Sequence, residues 1–150
     1  MFFIRTHMKE YSKKAEIRWA DIDPNYHVLH SKYYDYGAFC RLSYMTENGI
    51  TPPFLLENNI GLILFREECV FKKEIKFGDS LVINLKLEKC NADASRWSLV
   101  NELWINGDTL AAVITADGAW MDTKVRKLAI PPAICKIAFD NMPRSENYKQ

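Results

Sequence analysis

At 150 residues, with 48% hydrophobic and 26% charged side chains, the chain has an ordinary globular composition and is long enough to bury roughly 68–70% of its unfolded surface. A formal net charge of +1 gives no field that would gather nucleic acid, and no apolar run approaches the length of a membrane span, so neither partner is expected. The expectation is one domain over residues 1–150, with its core at about 15–122 and a short helix and tail at 131–150.

In chain order, Met1-Phe2-Phe3-Ile4 is apolar but runs at once into Arg5 and His7, so it lacks the continuous apolar stretch of a signal peptide and a cytoplasmic protein is expected. Ala15 to Trp19 alternates as a short strand. Trp19-Ala20-Asp21-Ile22-Asp23-Pro24-Asn25-Tyr26-His27-Val28 then gathers two carboxylates, an amide and an imidazole within seven residues, and Pro24 keeps it a loop. Groups crowded at an element boundary converge on a small volume, where burial and mutual repulsion tune them for proton transfer or nucleophilic attack. From Ser31, a candidate N-cap, to Asn48 a helix is predicted, because Tyr33, Gly37, Cys40, Tyr44 and Met45 recur at three- and four-residue spacing and Gly49 supplies a stop. Gly37 implies close approach of another backbone. Tyr33, Tyr34, Tyr36 and Phe39 suit either the core or an apolar pocket.

Thr51-Pro52-Pro53 breaks the helix, and strands follow at Ile60 to Lys76, Leu81 to Lys89, Arg96 to Ile105 and Thr109 to Asp122. Gly78-Asp79, Asn91-Ala92-Asp93 and Asn106-Gly107-Asp108 read as their hairpin joints, so the expected topology is an antiparallel meander. Leu81, Ile83, Leu85 and Leu87 make one buried face, and Leu110 to Ala116 is apolar enough to be central. Pro131-Pro132 opens a short helix near Ala133 to Phe139, and the polar tail from Arg144 to Gln150 is expected to fray. The sum is an α+β arrangement, an antiparallel sheet wrapped against one long helix. Cys40, Cys69, Cys90 and Cys135 form no C-x-x-C pair and read as reduced core thiols.

Arg18-Trp19-Ala20-Asp21-Ile22-Asp23-Pro24, then His27-Val28, then Lys32-Tyr33-Tyr34-Asp35-Tyr36 opening the helix, together with Phe77-Gly78-Asp79, resemble the hotdog fold over about Ala15 to Asp122. The likeness is to the 4-hydroxybenzoyl-CoA thioesterase-like and acyl-ACP thioesterase-like families. In the first, the position aligned with Asp23 is the catalytic carboxylate, acting as nucleophile or general base. In the second, a pattern Asp-x-Asn-x-His is matched by Asp23, Asn25 and His27. The resemblance implies a thioester hydrolase cleaving acyl-CoA or acyl-ACP, assembled as a homodimer or homotetramer; no cofactor is expected. The chain departs from the pattern at Tyr26, where many relatives have glycine, and at Leu29-His30, where many carry two asparagines.

A thioester carbonyl needs a nucleophile or activated water on one side and hydrogen-bond donors where its oxygen gains charge. Asp23 is the candidate for the first, and the helix-start amides near His30 and Ser31 for the second. Asn25 can orient water or merely close an Asx-turn, and His27 can exchange protons or merely hold the loop. Asp21 reads as structural. Tyr26, His30, Ser31 and Tyr33 are the candidate contacts to substrate, and Lys124 and Arg126, flanked by Lys127 and seconded by Arg96, are the candidate cations for an anionic carrier. His27-x-x-His30 with Asp21 and Asp23 has metal-ligand chemistry but no remote third ligand, so no metal is expected. Two alternatives stand beside hydrolysis: a non-catalytic hotdog protein that binds an acyl ligand or acts as a scaffold, and a hotdog hydratase, whose usual Asp-x-Asn-Pro-x-His spacing this chain lacks.

Overall fold

Residues 10–149 are described by a computed structural model; the apolar N-terminal run read against a signal peptide lies outside them, as does Gln150. The chain opens with β1 (Ser12–Ala15), passes through one 3-10 turn at Trp19–Asp21, and enters the long helix α1 (His30–Glu47). The predicted strand thus lies one turn too late. The stretch assigned to it closes into the 3-10 turn because the Asp21 carboxylate accepts the Arg18 backbone N–H at 3.0 Å. α1 begins at His30 behind Leu29 with no side-chain cap, so Ser31 is not the N-cap. Its stop is as expected: Gly49 takes φ +82°, and Asn48 donates back into the last turn. Thr51 caps a short helix α2 (Pro52–Glu57), its hydroxyl accepting the Phe54 N–H, so the two prolines begin a helix as well as ending one.

The sheet follows as β2 (Ile60–Phe71), β3 (Leu81–Asn84), β4 (Lys86–Cys90), β5 (Arg96–Ile105), β6 (Thr109–Asp122) and β7 (Lys127–Leu128). β3 and β4 are one line interrupted at Leu85, and both pair antiparallel with β5, which pairs with β6. That part is the expected meander. β2 departs from it: instead of pairing with β3 across Gly78-Asp79, it pairs with β6 from Ile60↔Asp122 to Phe71↔Ala112, and residues 72–80 cross back to β3. β2 ends at Phe71 rather than Lys76 because the N–H groups of both Lys72 and Lys73 turn onto the single Ala111 carbonyl. Asn106 and Gly107, at φ 54° and 84°, make the type I′ turn between β5 and β6.

The helix stripe is buried as its spacing implies, with Cys40 at 0%, Tyr44 at 3% and Met45 at 3% exposure. It packs on the inward face of the sheet, where Leu81, Ile83, Leu85, Leu87, Leu103 and Ile114 are buried. Gly37 does mark a close approach, of side chains rather than a backbone: a Cβ there would lie 3.1 Å from Ile114 Cδ1, 3.2 Å from Arg41 Nη1 and 3.3 Å from Asn101 Oδ1. α3 (Ala133–Asp140) closes one end of the core, Phe139 meeting Trp97 and Trp120. Residues 144–149 of the tail, expected to fray, are ordered by pairing. They form β8 (Arg144–Lys149), parallel to β4, with Leu87 N–H bonded to the Pro143 carbonyl at 2.7 Å. All four cysteines are free thiols.

Candidate active site

Two carboxylates shape the loop after the 3-10 turn, and they are used differently. Asp21, at 1% exposure, is held by the Arg18 guanidinium at 3.1 Å and by the Tyr36 hydroxyl at 3.2 Å. Burial alone would raise its carboxyl, but the hydrogen bonds from the Arg18 side chain and backbone and from Tyr36 outweigh it and hold the group below the usual carboxylate range. Its partners lie in the protein framework. Asp23 is half-buried, and its Oδ1 accepts the backbone N–H groups of Asn25 at 2.8 Å and His27 at 3.2 Å. The Asx-turn therefore belongs to Asp23, not Asn25. Among the described residues the second carboxylate oxygen has no hydrogen-bond partner. Tyr26 sits at the tip with φ 65°, the left-handed region, which gives the glycine preference at this position its physical reason.

The other wall comes from the far end of β2. Val28 N–H donates to the Ile75 carbonyl at 2.8 Å, His27 forms an isolated antiparallel bridge with Lys76, and His27 Nε2 lies 3.0 Å from the Glu74 carboxylate. Between the two walls is a cavity of about 360 Å³, lined by Asp23, His27, Val28, His30 and Tyr33 on one side and by Phe71, Lys72, Lys73 and Glu74 on the other. α1 starts at its edge. With no capping side chain, and with Leu29 and Lys32 N–H committed to the Asp21 and Leu29 carbonyls, the His30 and Ser31 amides are open donors of the first turn among the described residues. Burial pushes the Tyr33 hydroxyl up, opposed by the Ile75 backbone, so the ring remains a neutral wall. Burial, aided by Glu67, pushes the Cys69 thiol up to about 11, which leaves it protonated and a poor nucleophile at neutral pH.

Four sequence candidates, Asp23, His27, His30 and Tyr33, meet at this cavity. Asn25 contributes a backbone N–H, with its side chain outside the lining; Ser31 is exposed and likewise outside, as is Tyr26, 74% exposed. Lys124 and Arg126 are not brought here within one chain. They occupy the turn after β6, beside Ile60, at the opposite end of β2, a strand about 36 Å long at roughly 3.3 Å per residue. The cations that do line the cavity, Lys72 and Lys73, and the carboxylate of Glu74 escaped the sequence reading. Their signal was a second run of three charges, directly after Phe71, following the Arg66-Glu67-Glu68 run inside the same strand. Among the described residues no group of three or more His, Cys, Asp or Glu side chains is arranged for a metal ion, and no helix is long and apolar enough to cross a membrane.

The sequence profile of the thioesterase-like superfamily matches residues 17–137. No curated protein matches the chain in sequence. Among solved structures, a hypothetical protein from Staphylococcus aureus in complex with CoA is similar with a TM-score of 0.83 at 16% identity, over 92% of this chain and 89% of that one. A 1,4-dihydroxy-2-naphthoyl-CoA thioesterase from Synechocystis is similar with a TM-score of 0.80 at 16% identity, over 91% and 100% of the two chains. A DHNA-CoA thioesterase from Staphylococcus aureus gives 0.73 at 17% identity, over 81% and 80%. At these identities the likeness is one of fold.

Proposed function

The chain belongs to the thioesterase-like superfamily, and from that membership and the geometry around Asp23 we propose that it hydrolyses acyl-CoA thioesters. The observation that carries the reading is the carboxylate of Asp23, clamped through one oxygen by two backbone N–H groups while it lines a cavity at the start of α1. A carboxylate fixed in this way is oriented before substrate arrives. It attacks the thioester carbon as a nucleophile, giving an anhydride that water opens, or takes a proton from the water that attacks. In either case a C–O bond forms, the C–S bond breaks, and the water's proton passes to the departing thiolate. The His30 and Ser31 amides receive the carbonyl oxygen as it gains charge. His27, tethered to Glu74, supplies a proton-exchanging group in the same cavity, and Asn25 acts through its backbone.

CoA rather than an acyl-carrier protein is favoured by Lys72 and Lys73, whose charge suits the phosphates of the nucleotide. Relatives of the same fold include a protein solved with CoA and thioesterases named for CoA esters. The same reading includes a homodimer. β2 pairs only with β6 among the described strands, and its open edge, with Leu64, Phe65 and Val70 exposed on either side of the charged Arg66 and Glu68, is one a second copy would cover.

The experiment is release of free thiol from a panel of acyl-CoA esters by the native chain and by Asp23→Asn. A fall in kcat of about 10²-fold or more is expected, the scale of a lost general base. Turnover at native rate in the variant would remove Asp23 from the chemistry, and absence of turnover in the native chain would favour a binding protein.

A further inference from the structure

The cavity beside Asp23 has a back wall and, behind it, a polar stop. Tyr33, one turn into α1, is 4% exposed and meets Phe71 of β2 edge to face, with ring centroids 4.9 Å apart. One turn further, the position of Gly37 leaves no void, because Ile114, Arg41 and Asn101 occupy the space a side chain would take. One turn further again, Arg41, 9% exposed, donates to Asn101 Oδ1 at 3.0 Å and to Glu67 Oε2 at 2.7 Å. Asn101, fully buried, passes the contact on to the Asn84 carbonyl at 2.8 Å. Tyr33, Gly37 and Arg41 thus form one stripe of α1, and Phe71, Cys69 and Glu67 the alternate residues of β2 that face it.

A groove between a helix and a strand would ordinarily be the natural extension for a long alkyl chain. Here it is blocked twice. A chain passing the ring pair would have to lay methylenes against a guanidinium and a carboxylate that are largely withdrawn from water, at 11% and 21% side-chain exposure, and hydrogen-bonded to each other, and parting them is costly. The cavity of about 360 Å³ also lies near the small end of ligand sites. Resting on the acyl-CoA reading above, we propose that Tyr33 and Phe71, backed by the Arg41–Glu67 pair, restrict the acyl group to a short chain or a single ring. These are specificity-determining residues for the site.

The test uses non-hydrolysable S-alkyl-CoA thioethers, from S-ethyl through S-benzyl to S-dodecyl, titrated calorimetrically into the native chain and into Phe71→Ala and Phe71→Leu. Phe71 is half exposed, so both variants should fold, which circular dichroism checks. S-butyl and S-benzyl should bind best, with S-dodecyl about tenfold or more weaker, and Phe71→Ala should recover most of that loss while Phe71→Leu recovers less. Affinity that climbs steadily to S-dodecyl in the native chain, or a length profile identical in Phe71→Ala, overturns the proposal. Length-limited binding without turnover of any acyl-CoA would sustain it and sink the hydrolase reading; turnover that favours long acyl chains would do the reverse. Failure to bind any thioether would end both.

Discussion

Asp21 and Asp23 are two residues apart and meet opposite conditions. Asp21 is enclosed and satisfied by Arg18 and Tyr36, whereas Asp23 spends one oxygen on the loop and keeps the other beside a cavity. For Asp21 the pH consequence has a definite sign. Its native carboxyl is held below the unfolded value, so the native state binds fewer protons and the group stabilises the fold above about pH 3.9, a contribution lost as pH falls through the native pKa. Asp21→Asn should therefore lower stability at pH 7 by about 1–3 kcal/mol and flatten the acid limb of stability against pH in denaturant titrations. An unchanged acid limb would mean that other carboxylates carry it. Asp23 was legible in the sequence because the loop that orients it is local, five residues closing on their own backbone. Glu74, Lys72 and Lys73 were not, because their relation to Asp23 depends on a strand placed about fifty residues later in the chain.

At the scale of elements, β6 explains itself through one residue. A Cβ on Gly118 would stand 2.3 Å from both the Ile63 carbonyl oxygen and the Trp97 ring, so the strand tolerates no side chain where β2 and the Trp97 ring close over it. Gly118→Ala should destabilise the chain by about 3 kcal/mol, beyond the ordinary cost of overpacking, because a backbone oxygen cannot step aside as a side chain can. Thermal unfolding measures it, and a loss under about 1 kcal/mol would show that the strands can separate cheaply. Helix α1 and strands β5 and β6 follow their sequence patterns closely, since apolar periodicity and turn residues act within a few positions. The misplaced β1 and the pairing of β2 with β6 have another cause. Alternation states which face of a strand is buried but not which strand it joins.

For the whole molecule, the edge of β2 that no strand among the described residues covers is the feature that asks for a second copy. If two chains join there, Val70→Lys together with Leu64→Lys should convert a dimer to a monomer in sedimentation equilibrium, because inserted charges at an edge oppose strand pairing. A dimer that persists in the double variant would move the interface elsewhere. Such an assembly would also bear on the Lys124 and Arg126 turn, which lies at the far end of β2 from Asp23 within one chain; an antiparallel pairing of two β2 edges would carry each turn toward the other copy's cavity. The fate of the tail belongs to this scale too. Its polar composition reads as fraying, yet β4 offers an open edge whose backbone groups residues 144–149 satisfy.

The sequence by itself determined the long helix with its buried stripe, the three strands of the meander, the α+β class and the loop that presents Asp23, because each depends on periodicity or on hydrogen bonds spanning a few residues. Tertiary structure alone decided which strand stands beside β6, that the second wall of the cavity is Phe71 to Glu74, and that Arg41 and Glu67 meet behind it. Those contacts join residues tens of positions apart, and no local preference encodes them; they exist because burying one continuous apolar face leaves the chain few ways to bring its strands together.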